Sequence, residues 1–179
     1  SRDRFFLSGH FPGEPAGNTK YYPANQHDYT WSSGTSHSTP LVAGMVTLLY
    51  QYFQQMLGAP PSPALVKAAL VAGAVDVAGG KLNDGSEDLV PHIPNVHSGW
   101  GRASLNGLVD GTNDQFMLDQ DQVLTTSTNT FSQNILVADA SKPVKVVLAW
   151  TDHAGSPLAA SELVNDLDLN VSDGAGTWL

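Results

Sequence analysis

The sequence predicts two regions of different architecture, a helical region followed by an antiparallel β region. Two observations carry this. From about His37 to Leu57 apolar residues recur at helical spacing, and a shorter periodic stretch runs from Ser62 to Gly73. After about Val109 the pattern changes to short β-branched and aromatic runs separated by Ser, Asn, Gly and Pro. Helices first and strands afterwards is the order of a chain whose secondary structure is segregated into two domains.

In chain order, residues 1–30 have no helical period. Turn pairs such as Pro12-Gly13 and Gly17-Asn18 predict an irregular loop region with one short strand. The first helix carries Leu41, Val42, Met45, Val46, Leu48, Leu49, Tyr52, Phe53, Met56 and Leu57. Its apolar stripe is so wide that burial on most sides is expected. Pro40 is expected in its first turn, where a missing N–H matters little, and Gly58 closes it. The second helix has Ser62 as N-cap and Pro63 behind it, continues through Leu65, Val66, Ala69 and Leu70, and stops at Gly73.

Residues 74–98 read as a polar loop punctuated by Gly79-Gly80 and Asp84-Gly85, ending in Gly99-Trp100-Gly101-Arg102. Strands are expected at Gln122–Thr126, Phe131–Ala138, Val144–Trp150 and Val164–Val171. In the last of these, Leu167, Leu169 and Val171 alternate with Asp166, Asp168 and Asn170.

Composition narrows the function. Of 179 residues, 41% are hydrophobic and 14% charged, the profile of a globular chain. A net charge of −9, with eight Lys and Arg scattered singly, argues against nucleic acid as a partner. The absence of Cys removes disulfides, thiol catalysis and thiolate metal sites. No run approaches 18 apolar residues, so no membrane span is expected. The chain opens at Ser1 without Met and stops just after a turn-like Ser172-Asp173-Gly174-Ala175-Gly176, so it reads as a piece of a longer protein.

The segment richest in chemistry is Gly34-Thr35-Ser36-His37-Ser38-Thr39-Pro40-Leu41-Val42-Ala43-Gly44. A serine hydroxyl becomes a useful nucleophile when a base takes its proton and donors stabilise the oxyanion that forms. At the start of a buried helix, Ser36 offers its own backbone N–H at the positive end of the helix dipole. Gly34 allows a sharp turn and close substrate approach. Small Ala43 and Gly44 let the helix pack tightly. A Ser/Thr-rich cap on an ordinary core helix is the bland alternative. A nucleophile elbow is excluded because Ser38 stands where Gly would be needed, and no Ser-x-x-Lys occurs.

This segment resembles the serine signature of the subtilases, whose usual form is Gly-Thr-Ser-Met-Ala-Thr-Pro-x-Val-Ala-Gly. It departs from that form at His37 and Ser38. The resemblance continues in Pro63–Leu70 with Gly73-Ala74, similar to the family's next helix. Gly99-Trp100-Gly101-Arg102, leading to Leu105, resembles the segment that ends its catalytic domain. It implies an α/β subtilisin-like catalytic domain, C-terminal part only, over residues 1–108. It also implies a Ser36 acyl-enzyme hydrolysing polypeptide substrates, and a substrate-facing turn of Gly34, Thr35 and Ser36, with the Ser36 N–H as half of the oxyanion hole. No cofactor is implied for the chemistry, and most of the family is secreted, so an extracellular protein is expected.

The family's triad order is Asp, His, Ser, so both partners should precede Ser36. No His-Gly-Thr or Asp-Ser/Thr-Gly motif does. His10 and His27 read as loop residues, and no oxyanion Asn is evident. His37 adjoins Ser36, but neighbouring helical side chains diverge by about 100°, so it is not the base. Loss of one oxyanion donor alone costs on the order of 3 kcal/mol of transition-state stabilisation. The isolated chain is therefore expected to be inactive, with the missing N-terminal half of the catalytic domain as its necessary partner.

Val144–Trp150 and Leu163-Val164-Asn165-Asp166-Leu167-Asp168-Leu169 resemble the jelly-roll-like β domain that follows the catalytic domain in some secreted subtilases. Residues 109–179 are thus expected to be the start of an antiparallel β-sandwich, cut short. Asp152, Asp166 and Asp168 are candidate calcium ligands, a solvated acidic strand face being the simpler account. Asn170-Val171-Ser172 is a formal glycosylation sequon. The competing functional reading is a non-catalytic adhesion or binding module on a degenerate subtilase scaffold, supported by His37, Ser38 and the absent triad motifs.

Overall fold

The computed structural model describes residues 5–8, 29–32, 34–79, 94–173 and 177–178, the first two and the last of these segments by their backbone alone. The elements are β1 (Phe5–Ser8), β2 (Tyr29–Ser32), α1 (Thr35–Leu57), α2 (Pro63–Ala72), β3 (Val171–Ser172) and β4 (Thr177–Trp178). They group into two compact units, Ser1–Leu48 and Leu49–Leu179.

In the first unit β1 and β2 pair antiparallel, with Phe5 opposite Ser32 and Ser8 opposite Tyr29. Two strands thus stand where one was expected. Both are short aromatic or β-branched runs, which favour the extended backbone once each has the other to pair with.

The long helix forms over Thr35–Leu57. Its expected burial is corrected by the structure. Leu49 and Phe53, one turn apart, are fully buried, whereas Leu41, Leu48 and Met56 are more than half exposed. Periodicity records which residues are apolar, but burial also needs neighbours to cover them. In this chain those neighbours reach one stripe of the helix.

In the second unit α2 is built as its sequence dictates. Ser62 has extended backbone and its Oγ accepts the Leu65 N–H at 3.0 Å, while Pro63 takes the first helical position. The Gly73 N–H closes the helix on the Ala69 carbonyl at 2.8 Å. The buried side chains here include Leu65, Val66, Ala69, Ala74 and Leu108, with Ser62 the buried polar residue. Gly73 is fixed by space, since a Cβ on it would stand 2.5 Å from Leu108 Cδ1 and 2.7 Å from the Ser104 carbonyl.

The glycine segment returns to the end of α2. Val75 and Arg102 exchange backbone hydrogen bonds at 2.9 and 2.8 Å, forming an antiparallel bridge. Gly101 beside it has φ +100°, and a side chain there would collide with the Val75 carbonyl. Both conditions exclude other residues.

The expected β-sandwich is not formed. Among the described residues after 109, β3 pairs with β4 alone, with Val171 opposite Trp178. The runs at 122–126, 131–138 and 144–150 contain no strand, and Val123 and Leu136 are 77% and 92% exposed. A run with strand propensity becomes a strand only when another satisfies its N–H and C=O groups, and a lone pair is marginal. Turns organise this region instead. Asp110 accepts from Gly107 and Thr112, and Asp139 from Ser141.

Candidate active site

The site is the start of α1. Gly34 precedes its first residue, and the Gly34 carbonyl accepts the N–H groups of His37 at 3.1 Å and Ser38 at 3.3 Å. Gly34 has φ +147°, a backbone state that L side chains rarely adopt. Among the described residues, nothing lies within 4 Å of where its Cβ would stand. Among the described residues, conformation rather than crowding demands glycine here.

Ser36 is the second helical residue and its side chain is exposed. At this position the N–H has no acceptor within its own helix and points where the dipole favours negative charge. A hydroxyl and a donor thus stand together at the positive end of a 23-residue helix. That pairing suits attack on a carbonyl followed by capture of the resulting oxyanion. Gly34, Thr35 and Ser36 are contiguous in this turn. His37 is half-buried at the third position.

Pro40 is corrected by one turn. With Thr35 first, it is the sixth helical residue, and its missing N–H is the one that would have reached the Ser36 carbonyl four residues back. Hydroxyls supplement the carbonyls just before that gap. Thr39 Oγ1 donates to the Thr35 carbonyl at 2.9 Å, and Ser38 Oγ to that of Gly34 at 3.4 Å. The motif gave no warning of this. Its one signal is a hydroxyl residue four positions after the carbonyl it meets.

His10 and His27 lie outside the described residues. Asp152, Asp166 and Asp168 do not assemble. Among the described residues no group of three or more His, Cys, Asp or Glu stands placed to hold a metal. Asp152 is otherwise engaged, accepting from the N–H of Val164 at 2.8 Å and from the Asn165 side-chain amide at 2.7 Å. The Val164 N–H, helped by Asn165, holds its carboxyl below the usual carboxylate range. Dispersed in this way, the three carboxylates do not form a donor set that fits calcium.

Two side chains that sequence reasoning passed over bind the flanks of α2. Asp119 Oδ2 accepts the Ser62 N–H, and Lys145 Nζ donates to the Ala74 carbonyl, each at 2.7 Å. Among the described residues, no helix is long and apolar enough to cross a membrane.

Comparison with known proteins fits this geometry. The sequence model of the subtilase family matches residues 10–101, just over half of the chain, with the Ser36 turn inside the match. The chain is 29% identical over 155 residues to the Serine protease/ABC transporter B family protein tagA of Dictyostelium discoideum. That alignment covers 76% of this chain and 8% of the relative, so the chain spans a small part of it. No solved structure matches. The chain belongs to the subtilase family, and its matched segment to that family's α/β fold.

Proposed function

We propose that this chain is the serine-bearing part of an endopeptidase that cleaves polypeptides through an acyl-enzyme on Ser36. Ser36 Oγ attacks the scissile carbonyl carbon while a histidine takes its proton. The oxyanion is met by the Ser36 N–H, and the C–N bond breaks as the amine leaves with that proton. Water then hydrolyses the ester. The histidine, its aspartate and the second oxyanion donor come from residues outside this chain, which alone is inactive. No cofactor enters the chemistry. Residues 1–108 belong to the C-terminal half of the catalytic domain, and residues 109–179 are a separate region that follows it. The working location is extracellular.

The observation that carries this reading is the placement of an exposed Ser36 at the second position of α1, behind a glycine turn with φ +147°. The test uses the protein that contains this chain. Its wild type should hydrolyse peptides and be labelled by a fluorophosphonate, and Ser36→Ala should abolish both. Unchanged turnover in Ser36→Ala would defeat the assignment. A wild type that neither turns over nor labels would instead favour a binding module on a degenerate scaffold.

A further inference from the structure

The peptide group that joins Thr35 to Ser36 has two ends with different tasks. Its N–H is the donor assigned to the oxyanion, and its carbonyl is the acceptor that Thr39 Oγ1 engages at 2.9 Å. Because the peptide unit is planar, fixing the direction of the carbonyl fixes the direction of the N–H on the opposite side. A hydrogen bond at the carbonyl also polarises the amide and strengthens its N–H as a donor.

The neighbouring peptide lacks comparable support. Pro40 cannot donate to the Ser36 carbonyl, and its ring crowds that carbonyl, so the helix ladder is interrupted one residue beyond the donor. The turn is fastened on the other side of the gap. The Gly34 carbonyl receives three donors, from His37 N–H, Ser38 N–H and Ser38 Oγ, and the Thr35 carbonyl receives the Thr39 hydroxyl.

We infer that Thr39 is a positioning residue for the reaction, aiming the Ser36 N–H at the oxyanion through its hydrogen bond to the Thr35 carbonyl. Thr39 touches no reacting atom. It acts on the transition state, where the oxyanion exists, so its loss is felt in kcat rather than KM. The inference rests on the protease reading.

The same helix supplies an internal control. Thr47 Oγ1 donates to the Ala43 carbonyl at 3.0 Å, the same bond two turns further along and away from Ser36. Thr39 and Thr47 are both exposed, and Thr and Val have similar helix propensities, so Val substitutions at either site leave folding comparable.

The experiment measures kcat and KM on one peptide substrate for the whole protein and its Thr39→Val, Thr39→Ser and Thr47→Val variants. Thr39→Val should lower kcat about 3- to 10-fold with KM unchanged, a fraction of the loss from deleting an oxyanion donor outright. Thr39→Ser should restore most of it, and Thr47→Val should match wild type. Equal kcat in Thr39→Val and wild type overturns the inference while leaving the protease reading intact. So does an equal fall in Thr47→Val, which would reveal a general helix effect. Absence of hydrolysis by wild type, or full activity in Ser36→Ala, removes the protease reading and this inference with it.

Discussion

Asp119 Oδ2 accepts the backbone N–H of Ser62 at 2.7 Å across 57 positions of sequence, and Ser62 in turn caps α2 by accepting the Leu65 N–H on its own Oγ. At the other end of the helix Lys145 Nζ reaches the Ala74 carbonyl across 71 positions. The helix therefore has a carboxylate at its positive end and an ammonium near its negative end, the arrangement its dipole favours. Both charges come from the region after residue 109. That region, whose described strands are the short pair β3 and β4, completes the helix that follows the Ser36 helix.

Removing the carboxylate leaves the N–H of a buried residue without its acceptor. Asp119→Ala should destabilise the protein by about 1–3 kcal/mol in a urea titration, the range for a buried donor left unsatisfied. Asp119→Asn, which keeps an acceptor oxygen, should lose less.

The cap itself is a second, coupled contribution. Ser62→Ala should lower stability by about 1 kcal/mol, and Ser62→Gly by less. Because Asp119 and Ser62 share one residue's environment, the double variant should be non-additive in a thermodynamic cycle. Simple additivity would show that the two bonds act independently.

Two glycines should respond to alanine for opposite reasons. Gly73→Ala puts a methyl 2.5 Å from Leu108 Cδ1 and 2.7 Å from the Ser104 carbonyl at an ordinary φ of −78°, so Leu108→Ala should lower the thermal midpoint less in the Gly73→Ala background than in wild type. Gly34→Ala meets no crowding among the described residues but is strained at φ +147°, on the order of 1–3 kcal/mol, and truncating a described neighbour should not relieve it.

Pro40→Ala should restore an N–H donor to the Ser36 carbonyl. Interior Pro is about 3 kcal/mol less favourable in a helix than Ala, partly offset by the freer unfolded chain. The thermal midpoint should rise. A fall would place Pro40 among residues whose ring packing outweighs the missing donor.

The Asp152 clamp on Val164 and Asn165 gives a pH dependence with a defined sign. Its carboxyl is held below its ordinary value in the folded protein, chiefly by the Val164 N–H. The stability it supplies is therefore complete above about pH 4, the ordinary carboxylate value, and is lost as pH falls through the lower folded value. The stability difference between wild type and Asp152→Ala should be flat from pH 5 to 8 and shrink in acid. A difference that grows in acid would contradict the clamp.

The local backbone of the candidate site was legible in the sequence, because its signals are local. Gly34-Thr35-Ser36 before an apolar period specifies a turn, a hydroxyl and a helix start within a few residues. Ser62-Pro63 and Gly73 likewise mark the ends of α2 correctly. The Thr39 hydroxyl was also within local reach, but side-chain bonding to the preceding turn is common enough to carry no signal by itself.

What failed needed partners that a linear pattern does not contain. Leu41, Leu48 and Met56 were expected inside and stand exposed, and strand-prone 144–150 found no strand to pair with. By itself the sequence determined the helix that presents Ser36, since turns, caps and helical periods depend on residues a few positions apart. Tertiary structure alone decided which face of that helix is covered, that Gly73 must be bare for Leu108, and that Asp119 and Lys145 hold α2. Burial and long-range hydrogen bonds depend on which distant residues arrive, and no local propensity encodes that arrival.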